Sequence, residues 1–157
     1  MESLVHAFIS SNLDYCNSLN VNLPKKSLYK LQKVQNSAAR LITKTSKYSH
    51  ITPVLNQLHW LPIEKRIQFK IITLIYKCLH NMAPDYLSEN IRKYIPARTL
   101  RSSSSNDLVV PEHSNSFGKR SLFHAGPVLW NSLPHNITSI DSYNLFKSSL
   151  KTYLFKK

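Results

Sequence analysis

Acidic residues are scarce in this 157-residue chain: eight Asp and Glu stand against 21 Lys and Arg, a formal charge of +13. Glycine and cysteine are scarcer still, at two each. Two glycines are too few for a Gly-rich phosphate loop, and no Gly-x-Ser-x-Gly elbow occurs. Cys16 and Cys78 each lack a second thiol at metal or redox spacing, and Cys78-Leu79-His80 is too tight for a zinc-ligand pair. The acids, Glu2, Asp14, Glu64, Asp85, Glu89, Asp107, Glu112 and Asp141, are too dispersed to suggest a paired carboxylate site. No catalytic residue, metal ligand, cofactor or small-molecule substrate is therefore expected. Enzyme is the least favoured class.

Long apolar runs are also missing: none approaches the roughly 20 residues that span a bilayer. The first residues, MESLVHAFISSNLDYC, carry acids and lack the basic start of a signal peptide. With isolated thiols, this points to a reduced, intracellular protein, nuclear or cytoplasmic and not secreted. The sequon Asn136-Ile137-Thr138 then reads as accidental.

What is present is positive charge on helical patterns. A 42% hydrophobic content fits a globular chain. Its centre is Leu58 to Pro84. Pro62 suits a first helical turn and Pro84 stops the run. At about 100° per residue, Ile63, Ile67, Ile71, Leu74 and Cys78 share a face. Ile72, Ile75 and Leu79 widen it, with Phe69 and Tyr76 beyond, and Arg66, Lys70, Thr73, Lys77 and His80 form the polar strip. So wide an apolar arc needs several neighbours. The expected fold is mainly α, a compact multi-helix domain around a central helix at about 62–82.

The excess charge implies an anionic partner: nucleic acid, an anionic membrane surface or an acidic protein. Between Asp14 and Glu64 no acid occurs, yet Lys25, Lys26, Lys30, Lys33, Arg40, Lys44 and Lys47 do. A helix opened by Pro24 and running to about Thr43 places Leu28, Leu31, Val34, Ala38, Leu41 and Ile42 on its apolar side. Lys26, Lys30, Lys33, Arg40 and Lys44 fall opposite. An ordinary solvated face is the bland reading. Five like charges repel one another unless a polyanion relieves them, so RNA or DNA is preferred, held mainly through phosphates. A membrane-surface helix would spend on lipid the apolar side that the core needs, so no membrane partner is expected.

The remaining elements are shorter. Residues 2–12 read as a helix ending at Ser10-Ser11-Asn12, as if continuing from something upstream, and Leu13 to Leu23 as a connector. Thr52 is a plausible N-cap before Pro53. His59 and Trp60 pack at a helix corner, with base stacking by Trp60 the alternative. Tyr86, Leu87 and Ile91 mark a helix ending near Tyr94. Arg98 and Arg101 sit in a hydroxyl-rich loop suited to phosphates or to plain exposure. At most a short strand or hairpin is expected near 108–118, pairing Leu108-Val109-Val110 with Ser116–Phe117. Lys119 and Arg120 precede a helix or two turns interrupted by Gly126-Pro127, with Trp130 as anchor. A last helix from Asp141 or Ser142 carries Tyr143, Phe146, Leu150, Tyr153 and Leu154 on one stripe.

Several of these segments match a known family in order. Leu4-Val-His-Ala-Phe-Ile-Ser-Ser-Asn-Leu-Asp-Tyr-Cys-Asn-Ser18 resembles a signature of LINE-type (non-LTR) retrotransposon reverse transcriptases. Leu31-Gln-Lys-Val-Gln-Asn-Ser-Ala-Ala-Arg-Leu-Ile42 and His50-Ile-Thr-Pro-Val-Leu-Asn-Gln-Leu-His-Trp-Leu-Pro-Ile63 are similar too. Leu100-Arg-Ser-Ser, Val109-Val-Pro111, Trp130-Asn-Ser-Leu-Pro134 and Phe146-Lys-Ser-Ser-Leu-Lys-Thr-Tyr-Leu-Phe155 continue the likeness, which is to the Jockey-related branch.

The resemblance implies the region after the polymerase palm: a thumb-end helix and connector at 1–23, then a helical C-terminal domain at 24–157. The family's adjacent Asp-Asp pair and its endonuclease domain have no counterpart here, nor does the Cys/His knuckle of some lineages. It therefore implies a polymerase piece that cannot polymerise, helping the rest of the reverse transcriptase hold template RNA and target DNA. A protein-interaction module and a functionless remnant of a truncated element are the alternatives. The expected contacts are Lys26, Lys30, Lys33, Arg40, Lys44, Arg98, Arg101, Lys119 and Arg120.

Overall fold

Helices carry nearly all the regular structure of the computed structural model, which describes residues 2–95 and 107–156. Among the described residues the one β feature is an antiparallel bridge between Lys93 and Leu108. Two compact units are distinguished, Met1–Ile67 and Gln68–Lys157. The boundary expected near residue 23 lies inside the first of them.

In the first unit, α1 (Glu2–Val5) and α2 (Ser11–Asp14) are joined by a π-helical stretch, His6–Ser10. Ser11 Oγ donates to the Ala7 carbonyl, and Asn12 Nδ2 donates to that of Phe8 at 2.8 Å. The polar residues expected to end the helix instead bond back along its widened turn. The helical run continues to Asp14.

Helix α3 (Lys25–Thr43) follows extended Pro24 and ends where Lys44 turns left-handed at φ 53°. Helix α4 (Ile51–Gln57) begins one residue before Thr52, so His50, not Thr52, is the capping position. Val5, Ala38, Ala39, Val54, Leu55 and Trp60 form the core of this unit, with Ile9, Ile42, Ile51 and Leu58 packed on it. Trp60 is buried there, edge-on to His6 at 5.6 Å. Base stacking by Trp60 is thereby ruled out as the indole stands. His59 is exposed, not packed, because the chain turns left-handed there at φ 52°. Cys16, Asn22, Lys44, His59 and Asn81 all take positive φ, while neither glycine does.

Helix α5 (Ile63–Leu79) starts in the first unit and continues into the second. It is the expected central helix, three residues shorter at its end than the proline spacing suggested. Ile71, Ile72, Ile75 and Tyr76 are completely or nearly completely buried, whereas Leu74 is half-buried. Tyr76 sits inside because its hydroxyl donates to the Asp141 carbonyl, while its ring stacks on Phe146 at 4.1 Å. Thr73, expected on the polar strip, is buried and bonds to Phe69 O at 2.6 Å.

The helix expected at 86–94 shrinks to one turn, α6 (Asp85–Ser88). Residues beyond it pair instead: Tyr94 N–H donates to Asp107 O at 2.8 Å and Val109 N–H to Arg92 O at 2.9 Å. Leu108 therefore pairs with Lys93, not with Ser116–Phe117, which lie in a turn. The Asn131 side chain takes both backbone groups of Leu108 at 2.9 Å, standing in for a second strand.

Helix α7 (Leu122–Asn131) runs unbroken through Gly126-Pro127 and is capped by Ser121, whose side chain accepts from Phe123 N–H. A Cβ on Gly126 would lie 2.5 Å from Ile75 Cδ1, so this glycine admits the core helix rather than breaking α7. Helix α8 (His135–Thr138) had no counterpart in the sequence reading, and α9 (Tyr143–Lys156) buries Phe146, Leu150 and Leu154 as expected.

Candidate nucleic-acid interface

The rotation of α3 about its axis decides which side chains reach a partner. Its buried residues are Gln35, Ala38 and Ala39. Gln35 is 0% exposed and donates through Nε2 to Leu61 O at 2.8 Å. Gln32 completes the anchor: its Nε2 donates to Gln35 Oε1 at 2.9 Å, and its Oε1 accepts from Ile63 N–H at 2.9 Å. A buried amide and its half-buried partner thus fix one edge of α3, and two alanines allow close approach beside them.

This rotation differs from the expected one by part of a turn. Val34 (48% exposed) and Leu41 (53%) were placed on the core side and instead border the solvent face. The polar pair Gln32 and Gln35 takes the inward direction, because both find buried partners there. With Ile9, Ser37, Ala38 and Lys33, Val34 and Leu41 line an open, largely apolar groove of about 350 Å³.

Lys26, Lys30, Lys33 and Lys44 are exposed, as expected. Arg40 is different. It is half-buried, its Nη2 donates to Ser49 O at 3.1 Å, and its Nε is enclosed without a partner. It therefore ties the turn after α3 to the helix before it can contribute charge outward. Asp14, the acid nearest in sequence to the basic segment, is engaged by Arg66 Nη2 at 2.7 Å. No acid falls between Asp14 and Glu64, so the segment that contains α3 carries positive charge alone.

Two aromatic residues unnoticed in the sequence accompany the lysines. Lys33 Nζ lies 4.8 Å from the Tyr29 ring centroid, and Lys47 Nζ 5.0 Å from that of Tyr48. The Tyr29–Lys33 spacing of one helical turn was the signal available for the first pair.

The second unit carries Lys119, exposed, and Arg120, half-buried with its guanidinium 5.6 Å from the Phe117 ring. Arg98 and Arg101 lie outside the described residues. No cluster of three or more His, Cys, Asp or Glu fit to hold a metal occurs among the described residues. Cys78 is buried, which pushes its thiol pKa up against a lowering bond from Ser88. His80, two residues on, stacks on Tyr76 at 3.9 Å and bonds to its carbonyl. No described helix is long and apolar enough to cross a membrane. Compared with protein-family models, curated proteins and solved structures, the chain matches none.

Proposed function

We propose that this chain is a non-catalytic nucleic-acid-binding domain, of the kind its resemblance to the C-terminal region of LINE-type reverse transcriptases implies. RNA or DNA phosphates are held on the solvent face of α3. The observation that carries this reading is the alignment of exposed Lys26, Lys30 and Lys33 along one helix, with exposed Lys44 at its C-terminal cap and no carboxylate in the same segment. Such a row repels itself in free protein and is relieved by a polyanion, with release of its counterions. Phosphate contacts position the chain without selecting sequence. Equilibrium titration of an RNA or DNA oligonucleotide at several salt concentrations tests it. Three to four contacts give a slope of log K against log salt of about −2 to −4. A slope near zero, or no binding at low salt, contradicts the reading.

The apolar groove supports a second reading, a protein-docking surface. An acidic amphipathic helix would place apolar residues along Val34 and Leu41 and its carboxylates near Lys33. Binding of an acidic helical peptide that survives scrambling of its charges but not of its apolar positions favours this reading over the first.

A further inference from the structure

We propose that the α3 surface selects unpaired nucleotides, stacking bases on Tyr29 and Tyr48 while the lysines hold phosphates. This deepens the nucleic-acid reading and rests on it. Tyr29 stands at 59% exposure on the same arc of α3 as Lys26 and Lys33, and Tyr48 at 86% in the turn that follows. Neither ring is spent on core packing. Each has an ammonium near one side, from Lys33 and from Lys47, and retains open surface.

The backbone positions that carry the two rings are set relative to the charged strip. Tyr29 is held by the helix itself. Tyr48 lies in a turn tied back to α3 by the Arg40–Ser49 bond at 3.1 Å and closed by Ser49 N–H donating to Ser46 O at 3.1 Å. From Tyr29 to Arg40 the helix rises about 16 Å at 1.5 Å per residue. One aromatic platform therefore sits near each end of the strip, with Lys33 and Arg40 between.

That arrangement has a chemical consequence. In a duplex the base faces are already stacked on one another, and an exposed tyrosine meets only the backbone. In a single strand every base offers a free face, and stacking adds to the phosphate contacts with little dependence on sequence. The cation beside each ring strengthens the site for a strand that brings its own phosphate to the same ammonium. Tyrosines, unlike lysines, thus distinguish single strand from duplex.

The test is fluorescence anisotropy with a homopolymeric single strand and a duplex of equal length, at one fixed salt, using the whole chain. Wild type binds the single strand more tightly. Tyr29→Ala and Tyr48→Ala each weaken single-strand binding by about 5- to 100-fold and leave duplex binding unchanged. Tyr29→Phe keeps the wild-type preference, since the ring and not the hydroxyl stacks. Equal binding of both nucleic acids, insensitive to either alanine variant, overturns the selection while leaving the phosphate reading in place. Parallel losses on both nucleic acids also overturn it, because the tyrosines then act only through the fold. Absence of binding to both removes the nucleic-acid reading itself.

Discussion

Gln35, wholly buried in α3, donates to the carbonyl of Leu61 at 2.8 Å across 26 residues of sequence. Leu61 lies just ahead of α5, and Ile63 N–H, the first of that helix, bonds to Gln32 in the same amide network. The two glutamines therefore satisfy groups at a helix start that the helix cannot satisfy itself. They also turn the lysines outward.

Gln35→Ala should lower stability by about 1–3 kcal/mol, since it leaves a buried carbonyl unpaired. Gln32→Ala should lose less in that background than alone, because the two share one network. Urea midpoints of the single and double variants check this. Strictly additive losses would show that the glutamines act independently.

Gly126→Ala should also destabilise, by about 1–3 kcal/mol, because the new methyl meets Ile75 Cδ1 at 2.5 Å inside the core. Ile75→Val removes that atom, at its own loss of about 0.5–1.5 kcal/mol. The double variant should therefore be more stable than the sum of the two losses predicts. A double-mutant cycle with no coupling would mean that α7 and the core helix simply separate.

Tyr76 gives the chain an alkaline dependence. Burial, and secondarily the charge of Asp141, raise its hydroxyl pKa above the ordinary 10.0. The unfolded chain loses this proton first, so between the unfolded and folded pKa values the native state binds more protons and stability falls as pH rises. Below pH about 10 this contribution is constant. Tyr76→Phe should cost about 0.5–1.5 kcal/mol at neutral pH through the lost bond to the Asp141 carbonyl. It should also make the alkaline decline shallower. Thermal midpoints measured from neutral to alkaline pH check both effects, and parallel curves would contradict them.

The helices were legible where one period dominates. Ile67, Ile71 and Ile75 announced α5, and Phe146, Leu150 and Leu154 announced α9, because long apolar stripes must be covered whatever covers them. The rotation of α3 was not legible. Hydrophobicity points its inner face toward Val34 and Leu41, but the side-chain amides of Gln32 and Gln35 have partners, Ile63 and Leu61, that only the folded chain supplies. Gly126-Pro127 misled for a related reason: a close neighbour, Ile75, explains the glycine better than a break does. The pairing of Leu108 with Lys93 depended on a contact between residues distant in sequence, which no local pattern encodes. In the candidate site, Lys26, Lys30, Lys33 and Lys44 were readable from spacing. The tethering of Arg40 to Ser49 was not.

The most direct test of the central claim is the salt dependence of oligonucleotide binding by a variant carrying Lys26→Gln, Lys30→Gln and Lys33→Gln together. All three side chains are exposed, so the fold should survive, as circular dichroism and an unchanged thermal midpoint would show. If the solvent face of α3 holds the phosphates, the slope of log K against log salt flattens by about 2 to 3 relative to wild type. A folded variant with the wild-type slope would contradict the account and move the search to Lys119 and Arg120.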